Sequence, residues 1–242
     1  MRKLENKVAL VTGGSRGIGR AIANGLAAEG ARVVISARGS EALHRAAQQL
    51  AGADRTVVAV PADVTDEDQV STLFRRTLEQ FGRLDILVNN AGAFDGGPLD
   101  QLPLETWEKV MATNLRGPFL CTRAAMRIMK PQRSGRILNI GSISAQRPRM
   151  NSAAYTASKF GIWGLTDVTA LEGREFGISA CCLHPGNVPF DDPAAQAKRG
   201  SEPMMAAEDL AEVAVLMASQ PPHLNILEAI VLPVAQPYLG RG

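Results

Sequence analysis

The chain has 242 residues, of which 45% are hydrophobic and 21% are charged, and its net charge is +2 at pH 7. This composition is typical of a globular protein with a sizeable core, and without a long basic run it argues against a nucleic-acid or membrane-surface partner. No apolar stretch reaches the length of a signal-peptide core or a membrane span. The three cysteines fit buried thiols in a reducing compartment, so we expect a cytoplasmic protein.

Short apolar runs alternate with helical patterns from one end of the chain to the other. The runs predict buried strands at residues 7–13, 31–38, 56–64, 84–92, 135–142, 178–186 and 227–233. Helices are predicted between them, with two long ones at about 104–129 and 153–176. Gly30 is expected to close the first helix, and Ser40 and Asp66 are expected to be the N-caps of the next two.

This alternation predicts the fold class. Near-continuous apolar strands followed by helices indicate α/β architecture: a single doubly wound, Rossmann-type domain over residues 1–242, with a seven-stranded parallel sheet and helices on both faces. The long irregular segment 186–205 follows the sixth strand. Because ligands of open α/β sheets bind beyond the carboxyl ends of the strands, we interpret this segment as a mobile substrate loop. The alternative is an ordinary surface loop.

The first strand leads into the glycine-rich stretch "TGGSRGIG", Thr12 to Gly19, and then into a helix. Glycines let a backbone approach a pyrophosphate, and a helix N-terminus supplies N–H donors for it. The spacing Gly13-x-x-x-Gly17-x-Gly19 differs from both the G-x-G-x-x-G fingerprint and the P-loop. Its position between strand and helix nevertheless predicts a phosphate-binding turn.

Tyr155 and Lys159 lie four residues apart in a predicted helix, so their side chains share one face. A cation beside a phenol favours the phenolate, so a tyrosine that otherwise keeps its proton to about pH 10 exchanges it nearer to neutral pH. The alternative is a surface tyrosine beside a solvated lysine. The spacing alone does not separate the two interpretations.

Six motifs in this order resemble the short-chain dehydrogenase/reductase family. They are Thr12–Gly19, "NNAG" at 89–92, Asn114 in "ATNLRG", Ser142 in "GSISA", Tyr155-x-x-x-Lys159 and "PG" at 185–186. The resemblance runs from Lys7 to Val234 and is to single-domain, NADP(H)-preferring members similar to 3-oxoacyl-carrier-protein reductases. It implies an oxidoreductase that transfers a hydride between NADP(H) and a carbonyl or secondary alcohol.

The resemblance also implies which residues act. Tyr155 would be the general acid for reduction and the base for oxidation, assisted by Lys159, which also binds the nicotinamide ribose. Ser142 would hold the substrate oxygen, and Asn114 would position a water that links Lys159 to solvent. The residues implied in cofactor binding are Gly13, Ser15, Arg16, Gly17, Ile18, Gly19, Arg38, Asp63, Val64, Asn89, Ala91, Gly92, Tyr155, Lys159, Pro185, Gly186 and Val188.

The end of the second strand indicates which nicotinamide cofactor is used. In dinucleotide folds an acidic residue there binds the ribose 2′-hydroxyl, whereas an arginine accommodates a 2′-phosphate. The chain reads Ser36-Ala37-Arg38, with no carboxylate, and Arg16 adds a second guanidinium. Guanidinium groups bind phosphate through paired, charge-assisted hydrogen bonds, so we expect NADP(H) to be preferred over NAD(H). The alternative is that both arginines are solvated surface charges.

Four further signals concern the cofactor, the substrate, a metal site and the assembly. Pro189 stands where the family pattern has a threonine or other hydroxyl residue that helps to hold the carboxamide of the nicotinamide. Arg147 and Arg149 follow Ser142, and Arg147 is a candidate substrate contact that would favour an acidic group; exposed loop charges are the alternative. His184 is interpreted as a structural residue, and scattered histidines without acidic clusters argue against a metal site. The apolar C-terminal tail resembles those that cross subunits, so a homo-oligomer, tetramer or dimer, is expected.

The sequence therefore predicts an NADP(H)-dependent carbonyl reductase or alcohol dehydrogenase acting on a small-molecule or acyl-chain carbonyl. Its substrate pocket is expected to be formed by residues 93–99, 143–154 and 186–205. One alternative is an epimerase or dehydratase of the extended relatives, which have a different glycine spacing and a longer C-terminal domain. The other is an NADP(H)-binding sensor or scaffold without turnover, although such proteins typically lose the tyrosine or lysine that this chain keeps.

Overall fold

The computed structural model describes residues 2–189 and 202–238. These residues contain one seven-stranded sheet in the order β3-β2-β1-β4-β5-β6-β7, and every pair of neighbouring strands is parallel. The strands are β1 Val8–Thr12, β2 Arg32–Ser36, β3 Val57–Ala59, β4 Ile86–Asn89, β5 Gly135–Ile140, β6 Ile178–Pro185 and β7 Glu228–Val231. The predicted seven-stranded parallel sheet is confirmed.

Helices follow the strands, as the apolar periodicity predicts. They are α1 Gly17–Ala28, α2 Ser40–Leu50, α3 Glu67–Phe81, α4 Leu104–Met111, α5 Gly117–Gln132, α6 Ala153–Gly173 and α7 Ala207–Ala218, with a π-turn at Ala112–Arg116 and 3₁₀ turns at Leu99–Gln101, Ile143–Ala145 and Arg174–Phe176. The helix predicted at about 104–129 is thus α4, the π-turn and α5 in succession. No helix among the described residues is both long enough and apolar enough to cross a membrane.

The helices form a layer on each face of the sheet, and each layer closes a separate apolar core. One core joins the sheet to α1, α2 and α7 through residues such as Leu26, Leu43 and Leu210. The other joins it to α3 and α5 through residues such as Leu73 and Leu120. Strands covered on both faces are buried on both, which explains why they read as unbroken apolar runs. The doubly wound Rossmann-type fold is therefore as predicted.

Two of the sequence predictions need correction. The third strand, predicted at 56–64, spans only Val57–Ala59 and is an edge strand of the sheet. Val60 and Ala62 still donate to oxygens of the segment that contains β2, and Pro61 between them has no N–H to donate, which an edge strand tolerates. Ser40 is not an N-cap. Gly39 holds that position, and the Ser40 hydroxyl lies 3.2 Å from Nδ1 of His44 one turn further on.

The other predicted cap is confirmed. A carboxylate oxygen of Asp66 accepts hydrogen bonds from the backbone N–H groups of Asp68 and Gln69, at 2.9 and 3.1 Å, and so caps α3. The bonds from the backbone and side-chain amides of Gln69, and then from Asp68, keep the pKa of this carboxyl below its ordinary value. Such donors favour the charged form.

The loops that follow β1, β4, β5 and β6 carry predicted motifs, and all of them leave the sheet at the carboxyl ends of its strands, which is called the sheet edge below. Gly13 follows β1, residues 90–92 follow β4, Ser142 follows β5, and Gly186 follows β6. Because all strands are parallel, these carboxyl ends meet along one edge, and the order of the strands reverses between β1 and β4. This is where ligands bind in open α/β sheets.

Candidate active site

The glycine-rich turn is doubled back tightly between β1 and α1. Gly13 has φ +64°, a conformation in which a side chain is strained, and a Cβ on Gly19 would lie 2.3 Å from the carbonyl oxygen of Gly13. Arg16 is the N-cap of α1 but makes no side-chain capping bond, and the first turn holds no acidic residue. The N–H groups at the start of α1 are therefore available to an anion, as a pyrophosphate site requires.

Thr12 and Asn90 join the glycine-rich turn to the end of β4, the strand beside β1. The Thr12 hydroxyl accepts from the backbone N–H groups of Asn90 and Ala91, at 3.0 and 3.1 Å, and lies 3.3 Å from the carbonyl oxygen of Val88. The Asn90 side chain donates to the carbonyl oxygens of Thr12 and Gly13. The ends of β1 and β4 are thus held as one unit on either side of the strand-order reversal.

The two arginines predicted to select the cofactor are both exposed at this edge. Arg16 lies in the glycine-rich turn and Arg38 follows β2 by two residues. Within residues 2–189 and 202–238, neither guanidinium makes a hydrogen bond or an ion pair. Both are therefore free to meet an anionic group, and the end of β2 carries no carboxylate to repel one.

The next predicted cofactor residues differ in how accessible their side chains are. The Asp63 carboxylate accepts from the N–H and hydroxyl of Thr65, at 2.9 and 2.8 Å, and Val64 is buried against Gly117. Asn89 is 3% exposed, and its amide donates to Asn139 and Thr122 inside the fold. The Asn89 side chain therefore stabilises the interior of the fold between β4, β5 and α5. Only the residues that follow Asn89 are at the carboxyl ends of the strands, where a cofactor would bind.

Ser142 lies where β5 ends and the 3₁₀ turn Ile143–Ala145 begins. Its Oγ accepts a hydrogen bond from the N–H of Ser144 at 3.1 Å, which caps that turn. Since a hydroxyl has one proton to donate besides its lone pairs, the Ser142 proton remains available to a substrate oxygen. The backbone of Ser142 also contacts Nδ1 of His184, 2.9 Å from the carbonyl oxygen and 3.3 Å from the nitrogen.

Tyr155 and Lys159 occupy the first two turns of α6 and share a face, as their spacing predicts. The Nζ of Lys159 lies 5.6 Å from the centroid of the Tyr155 ring and donates to the carbonyl oxygen of Ile140 at 2.8 Å. Lys159 is only 7% exposed, so its charge is poorly screened by water. The Phe94 ring contacts Tyr155 edge to face, with 5.0 Å between the ring centroids.

Asn114 lies in the π-turn between α4 and α5, a distortion that is frequent at functional sites. Its side chain is 1% exposed. It exchanges two hydrogen bonds with the backbone of Ala93 and donates a third, at 3.1 Å, to Oγ of Ser158. Ser158 donates in turn to the carbonyl oxygen of Tyr155 at 2.7 Å. Asn114 therefore ties the loop after β4 to the first turn of α6.

A cavity of about 220 Å³ opens beside the start of α6, lined by Gly97, Leu99, Pro148, Arg149, Asn151, Ser152, Ala153 and Thr156. All of these residues except Thr156 come from 93–99 and 143–154, two of the three segments expected to form the substrate pocket. Arg147 lies elsewhere: its guanidinium is 5.7 Å from the centroid of the Tyr238 ring. Its role as a substrate contact stays a prediction.

Arg149 connects the cavity to the chain after β6. It donates to Glu202 at 2.9 Å and to Asn187 at 3.2 Å, and Asn187 also donates to Glu202 at 2.7 Å. Arg149 is therefore a partnered side chain and not a solvated loop charge. The predicted substrate loop 186–205 begins and ends at this contact, but its residues 190–201 lie outside the described part of the chain.

The "PG" motif after β6 is held by the C-terminal segment. Gly186 donates from its N–H to the carbonyl oxygen of Val231 at 2.8 Å, and a Cβ there would lie 2.3 Å from Oε1 of Gln236. Val188 is buried and Pro189 is exposed. Pro185, Gly186 and Val188 thus reach the same sheet edge as Ser142.

The structure gives three residues a part in the site that the sequence did not assign to them. Asn90 holds the glycine-rich turn, Ser158 links Asn114 to Tyr155, and His184 contacts Ser142. The second asparagine of "NNAG" and the serine beside Lys159 were signals for the first two. For His184, a histidine within an apolar strand was a signal that needed strand register to interpret.

Comparison with known proteins supports what this geometry indicates. A family model described as short chain dehydrogenase matches residues 7–199. The chain belongs to the short-chain dehydrogenase/reductase family. The resemblance drawn from the six motifs is confirmed, and this dehydrogenase/reductase is an oxidoreductase by family.

Two curated relatives and one solved structure illustrate the similarity. The uncharacterized oxidoreductase YxjF of Bacillus subtilis is 36% identical, over 95% of this chain and 97% of its own. A 3-oxoacyl-[acyl-carrier-protein] reductase of Synechocystis is 40% identical, over 79% of this chain and 78% of its own. A metagenomic short-chain oxidoreductase crystallised with NADP is 35% identical, with TM-score 0.84, over 96% of this chain and 99% of its own.

Proposed function

We propose that this short-chain dehydrogenase/reductase is an NADP(H)-dependent carbonyl reductase or alcohol dehydrogenase in which Tyr155 is the general acid and base. The observation that carries the proposal is the placement of Lys159 5.6 Å from the Tyr155 ring, on the sheet edge that also bears Ser142 and the glycine-rich turn. A proton donor, a fixed cation and a hydroxyl at one edge are what reduction of a carbonyl requires.

The residues at the edge fit NADP(H). The uncapped start of α1 and the close-packed glycines leave backbone N–H groups for the pyrophosphate. The adenosine half would follow β2 and β3 past Arg38, Asp63 and Val64, and the nicotinamide half would follow β4 and β6 past Ala91, Gly92, Gly186 and Val188. When bound, the cofactor supplies the hydride for reduction or accepts it in oxidation.

The chain's own side chains manage the proton. Tyr155 gives its phenolic proton to the carbonyl oxygen of the substrate as that oxygen becomes an alkoxide, and takes one back in the reverse direction. Lys159 stabilises the resulting phenolate by its poorly screened charge. Ser142 donates its free hydroxyl proton to the same substrate oxygen. Asn114 keeps Tyr155 in place through Ser158 and, in this proposal, positions the water that renews the proton.

Preference for NADP(H) over NAD(H) rests on Arg16 and Arg38. Both are exposed, unpartnered within the described residues, and next to the end of β2, where the 2′-phosphate of a dinucleotide lies. The metagenomic relative that is 35% identical to this chain was crystallised with NADP. Charge-assisted bonds to a phosphate are stronger than bonds to a hydroxyl, so we expect the phosphorylated cofactor to bind more tightly.

The substrate we propose is a small-molecule or acyl-chain carbonyl. The cavity is lined in part by Leu99, Pro148 and Ala153, and the same two chain segments expose Phe94 and Met150; these apolar side chains suit an apolar chain more than a sugar. Arg149 lines the same cavity, where its charge is balanced by the ion pair with Glu202. One relative with 40% identity is a 3-oxoacyl-[acyl-carrier-protein] reductase, and the 3-oxoacyl group in that name is an acyl-chain carbonyl.

We further propose that the protein acts in the cytoplasm as a homo-oligomer, a dimer or tetramer, with cofactor and substrate bound within the single domain 1–242. Helices α5 and α6 expose Phe119, Phe160, Val168 and Leu171, and side chains of this kind favour burial between subunits. A monomeric mass by light scattering would remove the oligomer from the proposal.

The function is tested by following NADPH absorbance with a panel of carbonyls: 3-oxoacyl thioesters, 3-oxo acids, diketones, quinones and sugars. We expect one class to be reduced, with one alcohol formed for each NADPH consumed and with slower turnover when NADH replaces NADPH. NADPH that binds to the protein but is not consumed with any carbonyl would contradict the proposal. That result would favour the alternative of an NADP(H)-binding sensor or scaffold.

A further inference from the structure

We propose that His184 is a positioning residue for Ser142, which it holds from the neighbouring strand. This inference rests on the proposed function only in that Ser142 must act on the substrate. His184 is completely buried, so it reaches neither substrate nor cofactor, and its effect must pass through the residue it contacts.

The contact follows from the pairing of β5 with β6. In this register Ile140 lies opposite Leu183, so the next residues of the two strands, Gly141 and His184, are brought side by side at the sheet edge. A Cβ on Gly141 would lie 2.6 Å from Nδ1 of His184. The ring therefore occupies the space that a side chain at position 141 would need, and it meets the backbone of Ser142 directly.

Both polar groups of the Ser142 backbone face the same ring nitrogen. Nδ1 of His184 is 2.9 Å from the Ser142 carbonyl oxygen and 3.3 Å from the Ser142 nitrogen. With its proton on Nδ1, the neutral ring donates to the carbonyl oxygen. With its proton on Nε2, it accepts from the Ser142 N–H. Either tautomer therefore keeps a hydrogen bond to Ser142.

The other side of the His184 ring faces β7 and α6. Nε2 lies 3.4 Å from a carboxylate oxygen of Glu228 on β7, the same oxygen to which the Gln146 side chain donates. The Trp163 ring contacts His184 edge to face, with 5.9 Å between the ring centroids. The imidazole thus packs between β7 and α6, although its Nε2 makes no hydrogen bond within the described residues, and its Nδ1 side lies against the backbone that carries Ser142.

This support matters because Ser142 is the last residue before a short 3₁₀ turn and has no strand partner of its own. Without the ring, two buried backbone groups of Ser142 would lose a polar neighbour, and the turn would shift to satisfy them. A displaced hydroxyl would slow the chemical step more than it weakens NADPH binding, because Ser142 is proposed to meet the reacting oxygen.

Three variants at position 184 separate the effect of the contact to Ser142 from the effect of the contact to Glu228. In His184→Asn the side-chain amide reaches the position of Nδ1 and can donate or accept there, but it no longer extends to Glu228. In His184→Gln the amide extends toward Glu228 and leaves the position of Nδ1. In His184→Leu both contacts are lost. For each we would measure kcat and KM with the best carbonyl of the panel, the Kd of NADPH by fluorescence, and hydrogen exchange of the peptide covering 141–147.

We expect kcat to fall about tenfold in His184→Leu and His184→Gln, with little change in the Kd of NADPH, as for the loss of one orienting hydrogen bond. The 141–147 peptide should exchange faster in both. His184→Asn should restore kcat and protection to near the wild-type level. If His184→Leu does not fold, the comparison of His184→Gln with His184→Asn remains.

Equal kcat and equal exchange in His184→Asn and His184→Gln would overturn the inference, because only one of them keeps the contact to Ser142. Ser142→Ala in the same assay distinguishes failure of this inference from failure of the proposed function. If the wild type reduces a carbonyl and Ser142→Ala does not, the function stands and the His184 variants decide the inference. If the wild type reduces no carbonyl, the proposed function fails, and hydrogen exchange alone decides the inference. Unequal exchange of the 141–147 peptide in His184→Asn and His184→Gln would then support His184 as the residue that fixes the Ser142 turn. Equal exchange in these two variants would overturn it.

Discussion

The ammonium nitrogen of Lys159 donates to the carbonyl oxygen of Ile140 and lies 5.6 Å from the centre of the Tyr155 ring. The helix spacing brings the two residues to one face, but the bond to the end of β5 determines where along that face the charge is held. The cation is therefore fixed by the sheet as well as by α6. It is part of a preorganised site, which does not have to rearrange as charge develops on the substrate.

The Thr12 hydroxyl should be important for stability, because it is buried and accepts from the N–H groups of Asn90 and Ala91. Thr12→Val keeps the shape and removes the oxygen, so we expect it to lower the free energy of unfolding by about 2 kcal/mol. Thr12→Ser keeps the hydroxyl and is the matched control. Urea unfolding of the three proteins measures the difference, and equal midpoints for the valine and serine variants would contradict this account of the turn.

Removal of Arg38 should weaken NADPH binding selectively. We expect the Kd of NADPH to rise about 10- to 100-fold in Arg38→Ala, as for a lost charge-assisted bond, while the Kd of NADH stays the same. Arg45→Ala, which removes an exposed arginine paired with Glu41 on α2, controls for net charge. Fluorescence titration with each cofactor is the measurement. A parallel rise for NADH would show that Arg38 does not read the phosphate.

The three thiols should be unreactive in the folded protein. Burial raises the pKa of Cys121, of Cys181 and of Cys182 to about 12, so almost no thiolate is present at neutral pH. A thiol reagent at about pH 8 should label none of them until denaturant is added, and then all three. Rapid labelling of Cys181 or Cys182 in the native protein would mean that β6 becomes accessible under native conditions, and rapid labelling of Cys121 would mean the same for α5.

Stability should decline as the pH falls below that at which a free histidine titrates. Burial lowers the pKa of His184 from its ordinary 6.5, with the Ser142 backbone and Glu228 opposing the shift and Lys159 adding to it. Below about pH 6.5 the unfolded chain therefore takes up this proton before the folded one does, so acid favours unfolding until the pH passes the folded pKa.

His184→Asn removes this proton uptake, so its urea midpoint should change less than that of the wild type between about pH 7 and 5. His44→Asn removes a histidine from an exposed position of α2 and is the control. The same decline in wild type and His184→Asn would show that His184 does not carry the acid sensitivity.

Much of the fold follows from local pattern. The apolar runs predicted all seven strands because parallel strands covered on both faces must be apolar throughout. The ends of these runs were less well predicted: Gly13, Asn90 and Ser142 were included in strands but lie in the loops of the site. Glycine and small polar residues at the end of an apolar run are compatible with either state.

The catalytic residues were readable because Tyr155 and Lys159 are close in sequence and belong to a recognisable family pattern. The contacts that support them were not readable. Asn114 reaches Tyr155 through Ser158, and His184 meets Ser142 only because of the register between β5 and β6. Such contacts join residues about 40 positions apart, and no local periodicity encodes which of two neighbouring strands supplies the partner.

The most direct test of the central claim compares the chain's two tyrosines. Tyr155→Phe removes the proposed proton donor, and Tyr238→Phe removes the other phenolic hydroxyl but leaves the ring against Arg147. With NADPH and the best carbonyl, we predict that Tyr155→Phe lowers kcat about 100- to 10,000-fold, with a much smaller change in the Kd of NADPH. The kcat of Tyr238→Phe should stay within about threefold of wild type. Full activity in Tyr155→Phe would contradict the assignment of Tyr155 as the acid.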